Sequence, residues 1–562
     1  MARDRTGGWV VRALAIGALL AGTAGLVPSQ AAEGDLVILS DQQVSRYTLR
    51  TEFDCAPGFT TTTCHQTDTE TEPSIAVNPE NPLNAVVAVQ QGRRDDGGAV
   101  VNGYATTVDG GRTWTSGRLP GTTKVTGGPF DRASDPVVVF GPDDLVYAQS
   151  LLFNNGGNRR ALWNNVSRDG GLTWEPGAAS ITTDDTYGST DKNWLTVDVD
   201  DTPGHHEGRI YVAWDRIAPV SVAYSDDQGA TWHIQDIGYT TYPGQGIGAL
   251  PLVLDDGGLA VLWATLAYPL PPARPGEPAE SVEEGASGLG RYVLSIAPKA
   301  GTVPTAGPLV FTPPVTVGVD LGRPTRGQRA GDGLPQAFVD PNSGRIYVAW
   351  QDARFRDDEV NDIVITWSDD DGITWSPVKP VDPGPRNNWR NRFLPMIGVG
   401  EDGALWVAYR EREENAGIPH FFSPQVDTML QVSRDGGETF SAPMKVNRSV
   451  SDMGFGTRSR GGVFLGDYHQ LAVAQDRTYI THTEPVRVSA REEAQFPPAY
   501  HHQRTWVSVV GEQPAAVSEP KAQVKGTRTG RTLPATGVPF IPVALVALGM
   551  AGIVAESLRR AR

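Results

Sequence analysis

The side chains able to do chemistry in this chain are carboxylates and arginines. Glu72, Asp135, Asp191 and Asp467 each stand just before a short apolar run. Two such groups held together could act as proton donor and base, one pKa raised by burial or by its neighbour's charge. Asp131, Asp215, Asp332, Asp352, Glu411 and Glu484 recur at equivalent places. So do Arg93, Arg132, Arg329, Arg354, Arg356, Arg392 and Arg410. Grouped guanidinium groups can clamp a carboxylate by charge-assisted, often bidentate hydrogen bonds. An ion-paired rim would give the same composition. The carboxylates could also hold a structural Ca²⁺, a cation of oxygen ligands. No linear Ca²⁺ loop occurs, no metal ligand is assigned and no cofactor is required. His205-His206-Glu207 and His501-His502 lack a third ligand at metal-site spacing and read as surface features. Trp194, Trp389, Phe464 and Tyr468 could stack on sugars or touch a protein if the molecule only binds. There is no serine elbow, phosphate-binding loop or coiled-coil heptad.

The elements that must position these groups are short strands. Apolar runs begin at residues 74–77, 136–139, 194–197, 249–252, 336–339, 395–398 and 469–472. Second runs follow at residues 209–214, 345–350 and 405–409. Short strands at regular spacing with turn residues between them indicate an all-β chain. The spacing favours a β-propeller of four-stranded blades, seven blades first and six as the alternative. The last unit lacks a strand, which residues 35–39 could supply to close the ring. The carboxylates and arginines would then meet at one end of the axis.

One octapeptide recurs between strands: Ser or Thr, any, Asp, any, Gly, any, Thr, aromatic. Its copies place Asp109 with Trp114, Asp169 with Trp174, Asp227 with Trp232, Asp370 with Trp375 and Asp435 with Phe440. The Asp spacings are 60, 58, 143 and 65 residues, so one unit has lost the pattern. The Asp can accept turn N–H groups, and the Gly supplies a backbone angle other residues resist. The pattern is structural, on the end opposite the charged rim.

These octapeptides resemble Asp boxes, and over about residues 70–510 the chain resembles the sialidase and Asp-box (BNR) repeat superfamily of β-propellers. The resemblance implies a glycoside hydrolase of exo-α-sialidase type. It implies a carboxylate clamp among Arg132, Arg329, Arg354 and Arg392, with Asp135 or Asp191 as acid. It implies Tyr468 as nucleophile and Glu411 or Glu484 as its partner, an exception to two-carboxylate glycosidases. The aromatic-Arg-Ile-Pro tetrapeptide of sialidases does not occur; Thr71-Glu72-Pro73-Ser74 stands at its position. A hydrolase of another glycan, and a non-catalytic glycan- or protein-binding propeller, are the alternatives.

The chain has 562 residues with 65 acids against 48 bases, a formal charge of -17. That balance excludes the basic face of a nucleic-acid binder. Arg3, Arg5 and Arg12 precede an apolar run at residues 13–27 and Ser29-Gln30-Ala31, the pattern of a signal peptide cleaved after Ala31. Leu533-Pro534-Ala535-Thr536-Gly537, an apolar stretch and Arg559, Arg560 and Arg562 resemble the LPXTG sorting signal of Gram-positive bacteria. That resemblance implies cleavage between Thr536 and Gly537 and covalent attachment to peptidoglycan. The expected organisation is signal peptide 1–31, N-terminal segment 32–72, propeller 73–510, wall spacer 511–532 and sorting signal 533–562. Cys55 and Cys64 would pair in an exported chain. The expected partners are a glycan or glycoconjugate, signal peptidase, sortase and peptidoglycan, and the propeller is expected to be a monomer.

Overall fold

The computed structural model describes residues 35–45, 65–94, 96–155, 159–184, 190–215, 220–237, 244–267, 290–298, 307–358, 360–414, 425–448, 451–459, 462–485 and 502–512. The chain divides into two units, Met1–Pro514 and Ala515–Arg562, and every described residue belongs to the first. The expected signal peptide, the Cys55–Cys64 pair and the Thr536–Gly537 cleavage site lie outside the described residues.

The repeated element is an antiparallel four-strand meander. One copy runs Asp191–Val197, Ile210–Asp215, Val220–Ser225 and His233–Ile237, paired in chain order. Its second and third strands are buried throughout, while the fourth is largely exposed. The reason is the two-residue period of a strand. Ile210, Val212 and Trp214 enter one core, and Tyr211 and Ala213 enter another on the opposite face. Residues 346–350 divide likewise, Ile346, Val348 and Trp350 from Tyr347 and Ala349. Both faces are apolar because each is covered by a neighbouring unit.

The first strands of successive units pack side by side, and Leu471–Val473 returns to His65–Val77. The fold is thus a β-propeller, closed around an axis. The expectation of seven, or six, separate blades is corrected by the hydrogen bonding. Among the described residues the blade sheets number five: four of four strands and one continuous sheet of twelve. The twelve-stranded sheet joins three four-strand runs. Parallel pairing of Asp68 with His502 and Thr69 with Gln503 makes one join, and pairing of Ala99 with Ala133 makes the other. A separate three-stranded ribbon contains Gln328–Arg329, Arg458–Ser459 and Gly462–Phe464. Leu36–Gln43 pairs antiparallel with His502–Glu512 and so provides an outer strand next to the chain's last described one.

The octapeptides join third and fourth strands. Asp435 accepts the Thr439 amide at 2.8 Å, the Thr439 hydroxyl at 2.5 Å and the Ser433 hydroxyl at 2.8 Å. Desolvation is the largest single influence there and opposes ionisation, but these bonds together outweigh it and lower the pKa to about 2. The turns also clip neighbouring units together. Gly171 O accepts from Thr106 Oγ1 at 2.5 Å, and Gly436 O accepts from Arg345 Nη1 at 2.8 Å. Antiparallel order puts these turns at the end of the axis opposite the starts of the first strands.

Candidate functional site

The site is built on bulges in the first strands. Register with the second strand slips between Thr71 and Ser74, Ser134 and Val137, Asp191 and Trp194, Ile247 and Leu250, and Phe393 and Met396. The residues at these slips have left-handed backbones: Glu72 (φ 54°), Asp135 (φ 42°), Lys192 (φ 44°), Gly248 (φ 69°) and Leu394 (φ 53°). A non-glycine residue held there costs about 1–3 kcal/mol, and a bulge re-aims its side chain. Pro73, Pro136 and Pro395 follow three of the bulged residues, and a proline has no N–H to forfeit where the ladder breaks. Glu72, Asp135 and Lys192 thus come from three successive units to one cluster.

The Glu72 carboxyl is buried (2% exposed) and accepts from Gln90 Nε2 and, at 3.3 Å, from the Asp467 amide. Gln90 Nε2 also lies 3.2 Å from Ser134 Oγ, which donates to Asp135 Oδ1 at 2.8 Å. The Lys192 amide donates to Asp135 Oδ2 at 2.9 Å and to Asp191 Oδ1 at 3.0 Å. The Lys192 amide thus bridges the two carboxyls, and after burial the Asp135 charge is the next cause of the raised Asp191 pKa. Lys192 Nζ sits 3.9 Å from the Tyr468 ring centroid and 4.0 Å from that of Trp194. Those rings meet edge to face at 5.3 Å. Lys192 Nζ, Tyr468 Oη and Asp215 Oδ1 are buried and have no hydrogen-bond partner among the described residues. Two glycines permit the close packing. A Cβ on Gly466 (φ 133°) would stand 2.8 Å from the Glu72 nitrogen, and one on Gly331 (φ 60°) would strike the Asp467 carbonyl.

Burial dominates the electrostatics. It raises the Glu72 pKa to about 8, helped by Asp135 and opposed by Arg93. It raises Asp191 to about 7, again with Asp135 helping. Asp191 nevertheless remains open to solvent. Surface accessibility decides whether a substrate can reach it, and the dense protein around its inner side explains the raised pKa. Burial lifts Asp215 well above the usual carboxylate range and Asp332 to about 7, and lowers Lys192. Tyr468 is raised by burial and then by Glu72, which opposes formation of a phenolate. The arrangement can therefore hold and deliver protons near neutral pH.

Of the sequence-predicted residues, Asp135, Asp191 and Tyr468 meet here. Glu411 instead pairs with Arg390 at 2.6 Å and Arg392 at 3.0 Å, and Glu484 with Arg410 at 2.9 Å and His482 at 2.6 Å. The four expected clamp arginines all have acidic partners. Arg132 binds Asp96, Arg354 binds Asp352, and Arg329 makes a two-point pair with Asp467. Arg392 binds Glu411, Asp362 and Asp382 through its three nitrogens. Phe464 is buried beneath Arg93 and Arg329 rather than presented for stacking. Gln90 and Ser134, which link Glu72 to Asp135, were not singled out by sequence. The Pro after Glu72 and after Asp135 was the available signal. Among the described residues, no group of three or more His, Cys, Asp and Glu is arranged to hold a metal ion.

No family model matches the chain, and no curated protein matches it. Solved structures do align. A Dyadobacter fermentans protein of unknown function has TM-score 0.42 and 11% identity, over 85% of this chain and 99% of that one. An α-L-arabinofuranosidase from Fusarium graminearum has TM-score 0.41 and 11% identity, over 84% and 98%. The endosialidase of phage phi92 has TM-score 0.41 and 11% identity, over 89% and 71%. Likeness at this level carries no information about substrate.

Proposed function

We propose that the protein is a glycoside hydrolase whose proton donor is Asp191. The observation that supports this is the Asp191–Asp135 carboxyl pair at the end of the axis where the first strands start. Asp191 reaches solvent, burial and then the Asp135 charge raise its pKa to about 7 so that a proton is available near neutral pH, and the Lys192 amide bridges the two carboxyls. A leaving glycosidic oxygen needs such a proton. The exo-α-sialidase form of the reading also needs guanidinium groups ready for the substrate carboxylate. Since Arg132, Arg329, Arg354 and Arg392 already serve acidic side chains, hydrolysis of another glycan is the reading favoured here.

The test is a panel of fluorogenic neutral, amino and acidic glycosides, including a sialoside, with wild type and Asp191→Asn. Turnover in the wild type that collapses in a folded Asp191→Asn protein is the expected result. Turnover unchanged by that substitution would remove Asp191 as donor. Absence of turnover across the panel would leave a binding propeller.

We also propose that the chain is exported and anchored to a bacterial wall. The support is the sequence alone: the basic-apolar N-terminus with Ala31, and Leu533–Gly537 with its apolar tail. Mass spectrometry of wall digests should find a peptide ending at Thr536 joined to peptidoglycan. A chain released from cells with residues 537–562 intact would refute the anchoring.

A further inference from the structure

We propose that Asp467 is a specificity determinant: by occupying the two-point edge of Arg329, it makes the central site select sugars that carry no carboxylate. This rests on the reading of the site as glycan-binding. Arg329 lies in the three-stranded ribbon, and its side chain is 42% exposed. It is the expected clamp arginine with the most exposed side chain. Its Nε meets Asp467 Oδ1 at 2.9 Å and its Nη2 meets Asp467 Oδ2. That is the fork geometry by which a guanidinium would hold a substrate carboxylate. Asp467 is therefore a resident carboxylate in the place an acidic sugar would need.

The rest of the cluster adds to the exclusion. Asp135 and Asp467 both act electrostatically on Glu72, and the Lys192 amide bridges Asp135 and Asp191. Lys192, a buried cation of the cluster, has its ammonium turned onto two aromatic faces, and Arg93 is spent on Gln90 and the Phe464 ring. Burial, and after it the charge of Asp135, raises the Glu72 and Asp191 carboxyls to about 8 and about 7. A further anion would meet the same burial and the same neighbouring carboxylate. Sugar hydroxyl or ammonium groups, in contrast, would find carboxyl oxygens to accept from them. Asp467 is held in position independently of any ligand: its amide bonds to Glu72 and its carbonyl packs against Gly331.

The experiment compares equilibrium binding of galactose-terminated and galacturonate-terminated oligosaccharides, which differ by one carboxylate. The proteins are the full chain, Asp467→Asn, and Asp467→Asn with Arg329→Gln, each checked for folding by circular dichroism. Wild type should bind the neutral ligand and discriminate against the acidic one. Asp467→Asn should gain about tenfold or more in affinity for the acidic ligand, the scale of a charge-assisted hydrogen bond. The double variant should lose that gain. Asp467→Gln serves if Asp467→Asn does not fold. Failure of the folded single variant to gain acidic-ligand binding, including no binding at all, overturns the proposal. So does a wild type that prefers the acidic ligand. The readout is binding, so absent turnover would count against the hydrolase reading and leave this selectivity standing.

Discussion

Lys192 and Arg392 are both buried cations among carboxylates, on first strands of different units, yet they are held in opposite ways. Arg392 is 3% exposed and spends each guanidinium nitrogen on a carboxylate, at 3.0, 2.5 and 2.7 Å. Asp362 and Glu411 pass that network on to Arg356 and Arg390. Lys192 is 7% exposed, and its ammonium has two ring faces and no hydrogen bond among the described residues. The backbone device is shared, since a left-handed bulge occurs at Leu394 as well as at Glu72, Asp135 and Lys192. Leu394 enters an apolar cluster, whereas the other three face one another. A saturated charge network around Arg392 is architecture. A strained cluster that leaves polar atoms unpaired is where chemistry can be stored.

Substitutions in the two regions should therefore fail differently. Asp191→Asn should cost about 10²–10⁴-fold in turnover on whichever panel substrate is cleaved, the usual worth of a general acid. Its denaturation midpoint should stay near wild type, because Asp191 is open to solvent. Arg392→Met should do the reverse, taking the shared counter-ion from three carboxylates, of which Asp362 and Glu411 keep Arg356 and Arg390 while Asp382 is left with none among the described residues, and costing about 3–5 kcal/mol in urea unfolding. Its residual activity should keep the wild-type pH profile. A shifted profile in Arg392→Met would show that the two regions are one electrostatic unit and break the comparison.

Glu72→Gln sharpens it through pH. The folded Glu72 carboxyl titrates at about 8 and the ordinary value is 4.5, so the native state keeps a proton that the unfolded chain has released between those values. Its contribution to stability is present below the unfolded value and is lost as pH rises through about 8. The difference between Glu72→Gln and wild type should grow in the variant's favour across that window, by about 1 kcal/mol or more. Urea titrations at pH 5 and pH 8.5 give the two end points. A constant difference would mean that Glu72 is ionised in the folded protein.

The local parts of this molecule were legible in its sequence. The octapeptides carry their own hydrogen-bond partners within a few residues, so composition and spacing were enough to identify the turns. The starts of the first strands were legible for the same reason, and they brought Asp135, Asp191 and Tyr468 into view together. Register was not. A bulge at Glu72 or Lys192 depends on how the partner strand pairs, and no residue type announces it. Ion pairing was equally hidden, because Arg329 and Asp467 are 138 positions apart and Arg410 and Glu484 are 74 apart. An arginine at the rim reads the same whether it awaits a ligand or already has a carboxylate. The joining of units into one twelve-stranded sheet also depends on distant partners, Asp68 with His502 above all.

The smallest expected effect lies at the far end of the axis, where Asp435 is exposed and its bonds are short-range. Asp435→Ala removes an acceptor for the Thr439 amide and the Ser433 and Thr439 hydroxyls, but water can replace it. The cost should be about 1 kcal/mol, as for a lost cap, with turnover unchanged. A larger loss would mean that the turn had moved as a whole and released the bond from Arg345 to Gly436 O. Pairing the substitution with Arg345→Met separates the cases. Additive losses confine Asp435 to its own turn. A coupling of about 0.5 kcal/mol or more would show that the octapeptide holds two units together, which would make these turns, like the Arg392 network, part of the frame that keeps the strained cluster in place.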